Sequence, residues 1–213
     1  MKGGLRRFVA SAAPPPPPTE QQPGERCEMC AEPIGEWHGH VVNIESRGLM
    51  CTCRPCALLF TNEGAAGGRF KAVPERYRYA ADVPLAEATW DSMGIPVAMA
   101  FFFTNSALGQ TVAFYPSPAG ATESLLSLEA WTDLLAAIPG MADLSADVEA
   151  LLVHKSENGF EFFAVPIDSC YQLVGLVRMY WKGFDGGEEA WTAIHKFFDD
   201  LRERSERVVV ADA

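Results

Sequence analysis

The sequence has no apolar run near the roughly 20 residues that a membrane-spanning helix needs. Its longest, IPVAMAFFF from Ile95 to Phe103, is the size of a strand. It also lacks Gly-x4-Gly-Lys-Ser/Thr, Gly-x-Gly-x2-Gly and Gly-x-Ser-x-Gly, so no motif marks a phosphate-binding loop, a dinucleotide fold or a nucleophile elbow. No internal repeat is visible. Basic residues are scarce where they would matter for nucleic acid. Residues 1–80 hold ten Lys/Arg against eight Asp/Glu, and residues 81–213 hold seven against twenty, so the two parts carry about +2 and −13 of the net −11. An acidic body of that kind repels a phosphate backbone, and no nucleic-acid partner is expected.

Cysteine is present but not spread as a disulfide framework would spread it. Five of the six, Cys27, Cys30, Cys51, Cys53 and Cys56, fall within 30 residues, and Cys170 stands apart. Clustered pairs point to metal. Cys27-x2-Cys30 and Cys53-x2-Cys56 each wrap a tight turn around one side of a tetrahedral ion, so these four are the expected ligands. The order of the stretch, with a knuckle, a hairpin and a second pair opening the apolar segment CALLFTN, is that of a treble-clef or zinc-ribbon module. About 36 residues cannot build a core alone, so the metal would supply the folding energy, on the order of 10 kcal/mol. Zinc is the expected cofactor. Iron in a rubredoxin-like site or an iron–sulfur cluster stays open as an alternative, although Ala31 and Ala57 stand where rubredoxin knuckles carry glycine. A zinc-stapled HNH nuclease fits poorly, with Gly39 before His40 and Ala57 at the place of a second histidine.

WHGHVVNI and RGLMCTC alternate as strands do. If the hairpin turns at Glu45-Ser46, facing positions sum to 91, which sets His40 against Cys51 and His38 against Cys53. Cys51, the surplus thiol, is then either a spare small residue or, with His38 and His40, an additional metal site or a hydrogen-bonded shell around the first.

Composition divides the chain into a Pro-rich disordered tail (1–26), the cysteine module (27–62), a Gly-rich linker (63–80), an acidic α+β domain (81–207) and a short tail (208–213). In the acidic domain, IPVAMAFFFTN and QTVAFYPSP form one hairpin around Ser106–Gly109, and VEALLVHK and FEFFAVP form another around SENG. A helix is expected after a cap at Thr122 or Ser124, ended by Pro139-Gly140. A second follows Pro166 with Asp168 as cap, and a third runs from about Glu188 with Trp191, Ile194, His195, Phe198 and Leu201 inward. The sum is an α+β fold with two hairpins and about three helices. No catalytic constellation stands out. Asp168, Trp181 and Asp185 are the residues offered as an interface or pocket, with helix capping and solvation as the plainer reading of the carboxylates. LRRFV at the start echoes a twin-arginine signal, but the apolar stretch after it is cut short by five prolines, and the chain is expected to be cytoplasmic.

CEMC, WHGH, LMCTCRPCALLF, YPSPAG and the PIDSCYQLVGLVR segment running on to GFDGGEEAW resemble an actinobacterial-type family of unknown function. The likeness spans most of residues 5–205. Members of that family are typically encoded in gene clusters with high-affinity nickel–iron hydrogenases. The resemblance implies a neighbourhood, hydrogenase biogenesis or function, but no established activity and no catalytic residue. Within it the expected role is a non-catalytic accessory or assembly protein that contacts a hydrogenase subunit or maturation factor, and the alternative is an electron-transfer protein with a rubredoxin-like iron or an iron–sulfur cluster at the same cysteines.

Overall fold

A computed structural model describes residues 24–62, 64–81, 85, 87–124, 135, 138–156 and 159–208. In chain order the elements are β1 (Gly39–Asn43), β2 (Gly48–Thr52), helix α1 (Arg54–Leu58), β3 (Phe70–Ala72), β4 (Arg78–Ala80), α2 (Glu87–Ser92), β5 (Met99–Asn105), β6 (Gln110–Ser117), β7 (Gly120–Ser124), β8 (Glu149–Ser156), β9 (Gly159–Pro166), α3 (Ile167–Tyr180), α4 (Gly187–Arg204) and β10 (Glu206–Arg207). The fold is α+β. A small sheet in the order β2-β1-β3 carries the cysteine-rich hairpin, and a seven-stranded sheet in the order β10-β4-β9-β8-β5-β6-β7 forms the body.

The central strands of the large sheet, β5, β8 and β9, are apolar on both faces because both are covered. Phe101, Leu152 and Phe163 turn toward α3 and α4, where Cys170, Leu173, Ile194 and Phe198 meet them. Their neighbours Phe102, Leu151 and Phe162 turn the other way, against Trp90, Met93, Ile138 and Met141. Continuous runs such as MAFFF and ALLV follow from burial on two faces, which removes the polar alternation of a half-solvated strand. Both expected hairpins are present. β5 and β6 pair Phe101 with Phe114 across a turn in which Gly109 takes φ +64°, and β8 and β9 pair Leu152 with Phe163.

The small sheet is tied to the body. Val42 of β1 belongs to the same core cluster as Ile167 and Val148, and Lys71 Nζ donates to the Ala146 carbonyl at 3.0 Å. The β1–β2 register pairs His40 with Cys51 and Gly39 with Thr52, the register expected from a turn at Glu45-Ser46. The Gly-rich stretch 63–80 contributes β3 to this sheet and β4 to the large one. Gly39 is required by packing, since a Cβ there would lie 2.9 Å from the Cβ of Ala57 on α1. Gly39→Ala should therefore weaken the hairpin by about 1–3 kcal/mol. Hydrogen exchange checks this, with amides of β1 and β2 losing protection while those of β8 and β9 keep theirs.

Three expectations about the helices are corrected. Thr122 lies inside β7 and Ser124 is its last residue, paired with Tyr115 and Ala113, because the YPSPAG turn sends the chain back along the sheet edge; Thr122, with strand residues on both sides, caps no helix. The helix expected beyond them lies outside the described residues, except Leu135, which is helical. Asp168 is the second residue of α3 and not its cap, because β9 runs through Pro166 and the helix starts at Ile167. On α4 the buried stripe is Ala190, Ile194, Phe197, Phe198 and Leu201; Trp191 is half-buried and His195 is exposed. Among the described residues no helix is long and apolar enough to cross a membrane.

Candidate metal centre

Cys27 and Cys30 sit on a tight turn in which the Ala31 N–H donates to the Cys27 carbonyl at 2.8 Å. Ala31 takes φ +63°, the left-handed region where glycine is the usual occupant, so alanine here accepts the knuckle conformation glycine would ease. Cys53 and Cys56 come from the other side. Cys53 precedes α1, Pro55 fixes the first turn, and the Ala57 N–H donates to the Cys53 carbonyl at 3.0 Å. The four sulfurs lie within 4.8 Å of one another, with Cys30 and Cys53 3.6 Å apart. Bonds of about 2.3 Å in a tetrahedron place ligand sulfurs roughly 3.8 Å from each other, so the four thiols are placed to hold a single metal ion.

Their electrostatics fit a cation. Burial works against a charged Cys27, but backbone N–H groups of Cys53, Cys30 and Met29 directed at its sulfur outweigh this and lower the thiol to about 6. Cys56 is pushed up to about 12 by the neighbouring Cys53 and Cys30 sulfurs and by burial. Thiols crowded in this way lose their protons together only when a positive ion offsets their repulsion.

A second cluster lies beside the first. One nitrogen each of His38 and His40 and the sulfur of Cys51 fall within 4.8 Å of one another. His38 Nδ1 is 2.9 Å from the Gly35 carbonyl, and His40 Nδ1 is 2.8 Å from Asp168 Oδ2. Cys51 is fixed by the Glu28 side chain, whose Oε2 accepts from the Cys51 N–H at 2.5 Å, while the Glu28 N–H donates back to the Cys51 carbonyl. Burial, with the negative charges of Glu25 and Glu28, raises the Cys51 thiol above its usual value. The structure therefore brings together all seven metal-site residues singled out in the sequence, as a group of four and a group of three.

It does not bring together Asp168, Trp181 and Asp185. Asp168 is in the first turn of α3 and Trp181 follows its last residue, a separation of about 20 Å at 1.5 Å per residue. Trp181 packs over Gly186 and against Trp191, whose indole N–H donates to the Asp185 carbonyl at 2.8 Å, so this end of the molecule is a closed turn between helices. Asp168 belongs to the histidine cluster instead. That contact spans 128 positions, and no local pattern announces it. Cys170 is wholly buried in the core.

The chain belongs to the DUF5947 family, a family of unknown function whose model matches residues 26–205. No curated protein and no solved structure matches the chain.

Proposed function

We propose that this family member is a zinc-pinned accessory protein that acts through protein contacts, with a nickel–iron hydrogenase subunit or maturation factor in the cytoplasm as its partner. The convergence of four sulfurs from two Cys-x2-Cys turns carries the metal reading. Their close spacing favours one ion over an iron–sulfur cluster, whose cysteines bond different iron atoms and stand further apart. Zinc is favoured over a lone iron because the site ties a knuckle to a hairpin and a five-residue helix with no buried residue, a segment that needs a staple. Cys27, Cys30, Cys53 and Cys56 are the ligands.

The contact reading rests on exposed apolar side chains beside this site. Trp37 is 89% exposed, and Leu58 and Leu59 of the α1 region are also exposed. Trp37 and Leu58 line one shallow pocket with Pro74. Exposed Trp with aliphatic neighbours is the composition of a protein interface. The resemblance of CEMC, WHGH and LMCTCRPCALLF to proteins encoded beside hydrogenases supplies the partner.

Two measurements test the proposal. Protein purified anaerobically should carry one tightly held zinc that survives dialysis and should show no visible colour. Iron with charge-transfer bands in the visible would make the cysteines a redox centre and overturn the zinc reading. A gentle pull-down from cells expressing the hydrogenase should recover one of its subunits or maturation factors, and Trp37→Ala should lose it. Recovery of no such partner would sink the assignment of the partner while leaving the zinc result intact.

A further inference from the structure

We propose that His38, His40 and Cys51 form a second metal site, distinct from the four-cysteine site, which takes a borderline divalent cation of the zinc class and keeps one coordination position open. The three residues supply two imidazole nitrogens and one sulfur, a donor set suited to such a cation. The hydrogen bonds around them select the nitrogens that would bind. A carbonyl only accepts, so His38 Nδ1 must carry the proton it gives to Gly35, and in a neutral ring Nε2 is a bare lone pair. That Nε2 is buried without any hydrogen-bond partner, on a side chain only 9% exposed. A buried unpaired nitrogen is costly unless something binds it.

His40 is held in the same way. Its Nδ1 faces the Asp168 carboxylate at 2.8 Å, the carboxylate–histidine arrangement that fixes the ring and makes the far nitrogen a better ligand. Asp168 is a positioning residue, set by the first turn of α3, with its other oxygen accepting from the Ser169 N–H at 2.7 Å. Cys51 is across β1–β2 from His40, so the hairpin register itself brings sulfur and imidazole together. Ligands of a tetrahedral ion sit roughly 3.3–3.8 Å apart, and atoms already within 4.8 Å close on it by about 1 Å.

Three protein ligands leave one tetrahedral position unfilled, which separates a site that exchanges ligands from a structural one. His38 and His40 line a groove of about 820 Å³, with Tyr77, Gln172 and Arg204 on its walls. Water or a small ligand reaches the ion from that side. The inference does not depend on which metal fills the four-cysteine site.

The test is a Co²⁺ titration of the full chain, stripped of metal and kept reduced. Wild type should take two equivalents, both producing tetrahedral absorption, the second weaker than the first. A His38→Ala/His40→Ala protein should take one equivalent at the wild-type affinity of the first. Asp168→Asn should weaken the second equivalent by about 10–100-fold and leave the first unchanged. Saturation of wild type at one equivalent would overturn the proposal, and so would an unchanged second equivalent in the double variant. X-ray absorption of zinc-loaded wild type gives a check that needs no variant, with imidazole scattering expected beside sulfur. A purely sulfur environment at two equivalents would place the second ion elsewhere. Loss of the tighter equivalent alone, with the His38- and His40-dependent equivalent kept, would instead count against the four-cysteine site.

Discussion

Cys27→Ser protein should be purified without its tightly held zinc, and residues 27–62, resistant in wild type, should become open to protease under native conditions. Cys27 is the most enclosed of the four thiols, 2% exposed, and the backbone N–H groups of Cys53, Cys30 and Met29 converge on its sulfur. A serine oxygen sits closer to the backbone, resists ionisation and is a poor zinc ligand, so the three remaining sulfurs lose their ion. The segment then has little of its own to hold it. α1 buries no residue, β1 and β2 are five residues each, and the hairpin reaches the body through Val42, Lys71 and the His40–Asp168 pair. Structural zinc contributes on the order of 10 kcal/mol to the folding of such segments, more than these contacts replace. Metal content, limited proteolysis and hydrogen exchange read the outcome together. β1 and β2 should exchange freely while β8 and β9 stay protected. Zinc retained at the wild-type level, or unchanged protection of β1 and β2, would show that Cys27 is not a ligand. Cys170→Ser is the comparison, for it buries a hydroxyl in the core and should leave zinc content unchanged.

The cysteine site was the most legible part of the sequence because its information is local. A Cys-x2-Cys turn is short enough that spacing implies geometry, and the period-two alternation of WHGHVVNI against RGLMCTC set the register that places His40 opposite Cys51. The hairpins of the body were legible for the same reason, with Gly109 and Gly159 taking the positive φ their turns need. What stayed hidden is long-range. A carboxylate after Pro166 commonly caps a helix, and nothing near Asp168 in sequence says that His40 will stand beside it. The strand order, in which β4 and β10 from distant segments extend the sheet beyond β9, is likewise invisible in a one-dimensional pattern. Thr122 shows a third limit. It is a good cap residue in composition, yet pairing with β6 sets it inside β7, since tertiary context outweighs local preference.

Glu161→Ala should cost about 3 kcal/mol, an effect that looks excessive for one charged residue in a strand until its surroundings are considered. Glu161 lies between Phe160 and Phe162 on the face of β9 that carries Phe163 and Val165 toward α4. There its two oxygens accept a forked pair of hydrogen bonds from Arg202 at 2.7 Å each, one from Tyr79 at 2.8 Å, and a contact with His154 Nδ1 at 3.0 Å. His154 is stacked on Phe198 at 3.9 Å between ring centres, so the cluster is built into the core rather than laid on it. Removing the carboxylate leaves a guanidinium and a phenol facing an apolar cavity. The cost is set at the lower end for a broken buried pair because Arg202 keeps 32% exposure and Asp199 as a second partner. The pH dependence has a definite sign. Burial opposes the charged form of Glu161, but the hydrogen bonds from Arg202, His154 and Tyr79 outweigh it and hold the carboxyl well below its ordinary value of 4.5. A folded pKa below the unfolded one gives stability that is complete above the unfolded value and drains away as pH falls through the folded one. The gap between wild type and Glu161→Ala should therefore be constant at neutral pH and narrow progressively below about pH 4.5. Urea unfolding of both proteins across that range measures it. A gap under about 1 kcal/mol at neutral pH, or one that does not shrink in acid, would mean that the packing of β9 against α4, and not the ion pair, holds this end of the sheet.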